Sequence, residues 1–429
     1  MSIFHYITLF IMLIFLFLGL PIAFVLGMTS LFWLYLGEIS LRVIPMRMYG
    51  GINRFVLLAI PFFMLAGEIM NESGITSRLV KFVEIIIGRV RGGLAHVNIY
   101  SSLLFAGISG SAIADVSAIG SLLIPAMEKS GYTKKFSAMI TASSSIVGPI
   151  IPPSITIVLY GSVTGVSIAG LFAAAILPGI LIGVGQSILV VYFAKKKNFP
   201  KSTVQITKKE FFSVTKDAIA AIIMPLIILG GILGGVFTAT EAGAVACAYA
   251  IFVGFFLFKE LKLSALPKVL KKAVKTSAIL FLIIGAADIL GWLLAKEGIP
   301  RQLAGFLLGI TENQYLLFLI ILFFLLFLGT WLEAGASIIM LAAVLPPAMV
   351  QIGFHPLQAG IIIIISMLIG LITPPLGLCL FTASSVSGAE VEEIFIEILP
   401  FITIHIGVVI LVGFFPDITL FIPRLLGML

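Results

Sequence analysis

With 429 residues, 60% of them hydrophobic and only 10% charged, and a mean hydropathy of +1.23, the chain is not a soluble globular protein, in which roughly 25% of residues are charged. Its longest apolar runs, such as "LLFLIILFFLLFLG" (316–329) and "IIIIISMLIG" (361–370), do not alternate with polar residues, which excludes a transmembrane β-barrel and leaves membrane-spanning helices. The net charge of +7 gathers in lysine clusters between apolar runs, the pattern of cytoplasmic loops and anionic-lipid contacts rather than of a nucleic-acid surface.

The opening "MSIFHYITLFIMLIFLFLGLPIAFVLG" has no Lys or Arg ahead of its apolar run. The run is also too long for the core of a cleaved signal, so it reads as a retained first span. Residues 1–96 read as N-terminal scaffold spans and a first interfacial arm, with Arg54 opening the apolar segment "FVLLAIPFFMLAG" (55–67). Residues 97–165 read as a first repeat unit. In it, 97–110 and 111–127 flank the small-residue break "FAGISGSA" (105–112), and each is short for a full span, as the arms of a re-entrant hairpin are. After a turn at Gly131 comes a helix that must break at "GPIIPP" (148–153), because proline lacks a backbone N–H and clashes with the preceding turn.

Residues 166–275 read as central scaffold spans, a basic connection and a second arm. The connection holds Lys195, Lys196, Lys197, Lys201, Lys208, Lys209 and Lys216, and the expected arm, Leu261–Lys275, mixes lysines with spaced Leu and Val as an interface-lying helix does. Residues 276–312 read as the span before a second hairpin, 313–389 as a second repeat unit and 390–429 as a C-terminal span. The second unit repeats the first: an apolar run, a break at "FLGTWLEAGA" (327–336), a turn at Gly353 and a helix broken at "GLITPP" (370–375).

Displacing the sequence by 222 positions lays Gly107 on Gly329, Gly131 on Gly353, Gly148 on Gly370 and each proline of the first pair on one of the second. It also lays "LIPAM" (123–127) on "LPPAM" (345–349) without a gap. Apolar helices resemble one another by chance because all are rich in Leu and Ile, but matched Gly and Pro at one displacement do not arise so easily. Paired interrupted segments in corresponding positions are a sequence mark of a secondary transporter's binding region. The fold class that follows is an all-α polytopic membrane protein with two repeats, each holding a re-entrant hairpin and a broken helix; if the hairpins enter from opposite sides, the repeats are inverted.

Irregular backbone at membrane depth survives only where protein or a water-filled cavity satisfies it. Freed carbonyls and hydroxyls there suit a hard cation such as Na⁺, and helix N-termini suit an anion. The first unit offers Ser109 and Ser111 opposite the backbone of Gly148, Ile151 and Pro153; the second offers Gly329 and Thr330 opposite Gly370, Thr373 and Pro375. The plain alternative is that small residues permit close helix packing and prolines merely kink. Charged residues within apolar runs are costly, which singles out Arg54, Asp115, Glu333, Asp288, Glu241 and Glu68, each with an internal ion pair or a snorkelling end as the structural reading. Arg54 has the planar fork that clamps a carboxylate, and Thr156 lies just beyond the first proline pair.

Other chemistry is thin. Four scattered histidines, two unrelated cysteines (Cys247 and Cys379) and the lack of a GxxxxGK[ST] sequence give no metal cluster, redox pair, nucleophile arrangement or ATP-hydrolysing loop. A transporter, a channel and a membrane enzyme are the classes to weigh, and the enzyme lacks a set of reactive groups.

The stretches "LLAIPFFMLAGEIM" (57–70), "GISGSAIADVSAIGSLLIPAM" (107–127), "GPIIPPS" (148–154), "AGLFAAAILPG" (169–179), "FTATEAGAVA" (237–246) and "GLITPPLG" (370–377) resemble the large membrane subunit of tripartite ATP-independent periplasmic (TRAP) transporters, in order and over nearly the whole chain. The resemblance implies an elevator-type transporter in a bacterial inner membrane, importing an organic acid on a Na⁺ gradient, with a small four-helix membrane subunit and a soluble periplasmic substrate-binding protein as partners. The chain's length implies that the small subunit is separate. By the same resemblance two Na⁺ sites fall at Ser109, Ser111, Gly148, Ile151 and Pro153 and at Gly329, Thr330, Gly370, Thr373 and Pro375. The carboxylate lies between the tips, near Arg54 and Asp115, with Ser111, Thr156 and Glu333 as further contacts. Glu333 stands where the family more usually has a shorter Asp, and Arg54 is compatible with members that carry sialic acid. A stand-alone divalent-anion/Na⁺ symporter with a similar repeat is the neighbouring alternative.

Overall fold

In hydrocarbon every backbone N–H and C=O must be satisfied inside the protein, which a helix does within its own segment. In a computed structural model that describes residues 3–199 and 207–429 (side chains of 3–6, 9, 17, 106–109 and 208 excepted), all regular structure among the described residues is helical. Lys201 lies outside the described residues, as do the side chains of Lys208 and Ser109. Among the described residues six helices are long and apolar enough to cross a membrane: Phe55–Glu72, Ile168–Lys196, Lys209–Leu233, Ala239–Leu257, Leu263–Lys296 and Val391–Phe414. Two bent pairs, Ile299–Ile310 with Gln314–Gly329 and Ala334–Leu341 with Leu345–Gln351, raise the number to eight if each is one span.

Both repeat units adopt the expected form. Gly93–Ser109 and Ala112–Lys129 make the first hairpin, Gln314–Gly329 and residues 334–351 the second, the latter arm bent by 56° between Ala334–Leu341 and Leu345–Gln351. The first broken helix runs Lys134–Ser145 and resumes as Ile155–Thr164; the second runs Pro356–Gly370 and resumes as Leu378–Ser387. Both proline pairs contain a cis peptide bond.

The long helix Ile168–Lys196 shows how the hairpins are oriented. Just past its lysine end, the ring of Phe199 lies tilted 4.6 Å from that of Tyr132, in the turn at the base of the first hairpin. At its other end, Gly170 lies against Leu357, just past the base of the second hairpin; a Cβ at Gly170 would stand 3.1 Å from that leucine. Its 29 residues span about 43 Å at 1.5 Å each. The hairpins therefore enter from opposite ends, and the two repeats are inverted.

The structure moves one boundary. A second arm was expected at Leu261–Lys275, but Leu266–Lys296 is one continuous helix through 275. Its lysines Lys268, Lys271, Lys272 and Lys275 recur at helical spacing without a Gly or Pro to stop the turn, and at about 46 Å it is long enough to carry them beyond the hydrocarbon. The counterpart of the first arm, Ile75–Ile87, is instead Ile299–Ile310. Both are strongly amphipathic, both follow a glycine at φ 68° (Gly74 and Gly298), and each leads from a span into a hairpin.

Leu266–Lys296 packs on Ile22–Leu36, Val43–Ile52 and Ala59–Glu72, forming a scaffold layer. The hairpins and broken helices pack on each other and on Val391–Phe414. Ile168–Lys196, expected with the central scaffold, joins this second layer as well, because Gly179, Gly183 and Gly185 let Ile151, Leu103 and Ile404 approach its backbone.

Candidate functional site

At the first break, Lys134–Ser145 ends in a series of tight turns, with Ile150 and Ile151 both donating to the carbonyl of Val147 at 3.0 and 3.1 Å. Ser154 closes the break: its hydroxyl donates to the carbonyl of Pro149 and accepts from the N–H of Ile157, capping Ile155–Thr164. The hairpin tip meets this cap, since a Cβ on Gly110 would lie 3.1 Å from the backbone nitrogen of Ile155. Ser111 caps the second arm by accepting from Ala114, and Thr156 is buried in the first turn of Ile155–Thr164. Asp115 is fully buried, and a side chain at position 148 would run into its carboxylate. Glycine at 148 is what lets the break lie against Asp115.

The second break is built on the same plan with closer backbone contact. A Cβ on Gly370 would overlap the carbonyl of Gly329, and one on Gly329 would stand 3.3 Å from the Cα of Gly370. The N–H of Leu376 donates to the carbonyl of Thr330 at 3.1 Å, tying break to tip. Thr373 donates its hydroxyl hydrogen to Ile369 at 2.9 Å, leaving its lone pairs for another partner. Pro375 is exposed, whereas Gly148 and Pro153 of the first break are buried. Glu333 lies 222 positions after Ser111 and does the same work: its carboxylate accepts from Ala336 at 2.8 Å, capping the hairpin's second arm.

The two tips meet around one helix. Gly110 touches the start of Ile155–Thr164, and Gly335 lies near Leu159, four residues on and so about 6 Å along the axis. Ser111 and Ile155 open into a cavity of about 540 Å³ that also meets Ser117 and the ion pair of Glu68 with Lys272, 2.7 Å apart. Two helix N-termini converge beside it, an arrangement that favours an anion.

Arg54 lies elsewhere. Its guanidinium donates to Asp288 at 2.8 Å and to the carbonyl of Ser162 at 3.0 Å, in a second cavity of about 680 Å³. This cavity lies between the scaffold and the base of the second hairpin. Lys272 lines the first cavity and Trp292 the second, on the same helix. Twenty residues separate them, about 30 Å, so the cavities open toward opposite ends. The structure thus pairs Arg54 with Asp288 and places Asp115 at the first break; the two do not share a cavity. Glu241 completes a capping box with Thr238 at the start of Ala239–Phe252. Arg47, Tyr160 and Ser162 also line the second cavity and were not singled out from sequence. An arginine seven residues before Arg54 in a poorly charged stretch was the available signal. Among the described residues no three His, Cys, Asp or Glu side chains come together as a metal site.

Comparison with known proteins gives the family. Residues 9–418 match the family model of the tripartite ATP-independent periplasmic transporter, DctM component. The chain is 38% identical over 414 residues to the sialic acid TRAP transporter large permease protein SiaM of Vibrio cholerae, covering 96% of each. It is 36% identical over 389 residues to the C4-dicarboxylate TRAP transporter large permease protein DctM of Pseudomonas aeruginosa, covering 91% of each. Its fold is similar to that of the Alcanivorax borkumensis YdaH transporter, with a TM-score of 0.64 at 17% identity over 88% of this chain and 89% of the other. The chain therefore belongs to the DctM component family of tripartite ATP-independent periplasmic transporters, as a multi-pass large permease subunit and not an enzyme.

Proposed function

We propose that the chain imports an organic acid into the cytoplasm on a Na⁺ gradient, moving its hairpin layer against the scaffold layer. One observation carries this reading: two inverted hairpins meet around Ile155–Thr164, each tip seated on a broken helix. Ser111 with the carbonyls of Gly148, Ile151 and Pro153 would hold one Na⁺, and Thr330 and Thr373 with the carbonyls of Gly329, Gly370 and Pro375 a second. A hard cation takes oxygen ligands, and Asp115 beside Gly148 supplies negative charge at the first. The carboxylate of the cargo would sit at the N-termini of Ala112–Lys129 and Ile155–Thr164, near Thr156, in the cavity bounded by Ser111.

The lysine end of Ile168–Lys196 marks the cytoplasmic side, so that cavity faces the cytoplasm. The membrane is the bacterial inner membrane, and the partners are a separate small membrane subunit and a periplasmic binding protein. Sialic acid and C4-dicarboxylates, named for the two relatives, are the first acids to test. Uptake would be measured in proteoliposomes holding both membrane subunits, with binding proteins supplied outside. Uptake is expected to collapse when the Na⁺ gradient is dissipated; indifference to the gradient would sink the coupling. Ser111→Ala and Thr373→Ala are each expected to raise the half-saturating Na⁺ concentration severalfold, and an unchanged value in both removes the assignment of these sites.

A further inference from the structure

The cavity holding Arg54 has a charge and hydrogen-bond deficit of its own. Its wall is mostly apolar, with Arg47, Arg54, Asp288, Tyr160 and Ser162 as the polar groups that matter. Asp288 neutralises Arg54. Arg47 lies over the ring of Trp292 at 4.9 Å, and among the described residues it has no ion pair. Among the described residues its Nε is buried with no hydrogen-bond partner, and so are the hydroxyls of Tyr160 and Ser162, in residues 0% and 5% exposed. Buried donors are rarely left unmade, because each costs about 1–3 kcal/mol. One uncompensated positive charge beside a half-open apolar hollow, with two spare hydroxyls sealed just beneath its wall, is the complement of a monoanion with polar substituents once a small shift of the wall uncovers them. A carboxylate meets a guanidinium bidentately, and the volume suits a small organic molecule.

We propose that this cavity is a second carboxylate site, on the face opposite the lysine end, where the organic acid lodges before it reaches the tips. It rests on the reading that the cargo is an organic acid entering from that face. Arg47 supplies the charge, the hydroxyls of Tyr160 and Ser162 hydrogen-bond the acid, and Trp292 forms the wall beside it. The site spans the two layers, since Arg47 and Trp292 belong to the scaffold and Tyr160 and Ser162 to the hairpin layer. Arg54, holding Asp288 on one side and the Ser162 carbonyl on the other, fixes the register between them.

Trp292 makes binding directly visible. The complex of both membrane subunits in nanodiscs would be titrated in Na⁺-free buffer with N-acetylneuraminate, succinate, 2-oxoglutarate and acetate. The signal is the part of the tryptophan quenching that vanishes in Trp292→Phe. Saturable quenching by at least one acid is expected. Arg47→Gln should weaken it by tenfold or more and Tyr160→Phe by about threefold, as loss of a charged and a neutral hydrogen bond implies, while Ser111→Ala leaves it intact. Tyr160→Phe keeps the ring, so it tests the site even if Arg47→Gln unfolds. No quenching by any of the four acids, equal quenching in Arg47→Gln and Tyr160→Phe, or a signal that follows only the anionic-lipid content of the nanodisc overturns the proposal. Na⁺-dependent uptake without this quenching removes the second site and leaves the transport reading standing; quenching without uptake does the reverse.

Discussion

At the residue scale, the pairing of Ser111 with Glu333 shows what the repeat preserves. Ser111 and Glu333 are different side chains at equivalent positions, and both spend an oxygen on the N–H three residues ahead. Glu333→Ser is therefore expected to keep the cap and change stability by no more than about 0.5 kcal/mol, whereas Glu333→Ala should cost about 1 kcal/mol. Thermal unfolding of the purified complex reads both, and equal losses would mean that the carboxylate does something beyond capping. Sequence reasoning marked Glu333 as a costly intramembrane charge. Its cap could be seen only with the helix start in place, because a carboxylate accepting a backbone N–H resembles any other carboxylate in a string of letters.

At the scale of elements, the second break depends on backbone touching backbone. Gly370→Ala would place a Cβ 2.6 Å from the Cα of Gly329 and nearer still to its carbonyl. Neither strand of that contact has a flexible side chain that can give way. The expected loss is about 2 kcal/mol or more, read by chemical unfolding, while Gly305→Ala, with open space around it, should be neutral or mildly stabilising. The first arm has its own tether: Arg78 donates to Glu260 at 2.6 Å and stacks on Phe258. The hydrogen bond and charge of Arg78 lower the pKa of Glu260 below the usual carboxylate range. A depressed carboxylate contributes stability above its unfolded pKa and loses it as pH falls through the folded value. Glu260 is 48% exposed, so solvent screening limits the tether to about 0.5 kcal/mol. Glu260→Gln should thus lower the unfolding temperature slightly at pH 7, and the gap to the parent protein should close below the carboxylate range; a gap that persists there would assign the effect to packing.

For the whole molecule, the proposed motion of the hairpin layer would slide the second hairpin along the scaffold. Gly291 on Leu266–Lys296 faces Ala343 on the second hairpin, and a Cβ built on Gly291 stands 3.0 Å from that of Ala343. In a background with Cys247 and Cys379 replaced by alanine, Gly291→Cys with Ala343→Cys is expected to form a disulfide with a small adjustment toward the usual Cβ separation of about 3.8 Å. Oxidation should abolish uptake and reduction restore it. Full uptake by the cross-linked complex would show that the layers need not move past each other. The arms Ile75–Ile87 and Ile299–Ile310 each join a scaffold span to a hairpin, where the proposed motion would need its hinges.

The sequence by itself determined the environment, the repeat and the places where helices break. Apolar runs of spanning length, matched glycines and paired prolines act through local rules that hold wherever the segment lies. It also marked the Gly, Ser, Thr and Pro residues at both breaks, which the structure places at the hairpin tips and broken helices. The inversion of the repeats was decided by tertiary structure, since a segment carries no record of which end of Ile168–Lys196 its hairpin base will meet. So was the identity of the second arm, because lysines at helical spacing suit an interfacial helix and the emergent end of a long span equally well. Arg54 illustrates the remainder. Its charge in an apolar region was plain, but its partner lies 234 residues away, and only packing of scaffold against hairpin brought Asp288, Arg47 and two spare hydroxyls around one cavity.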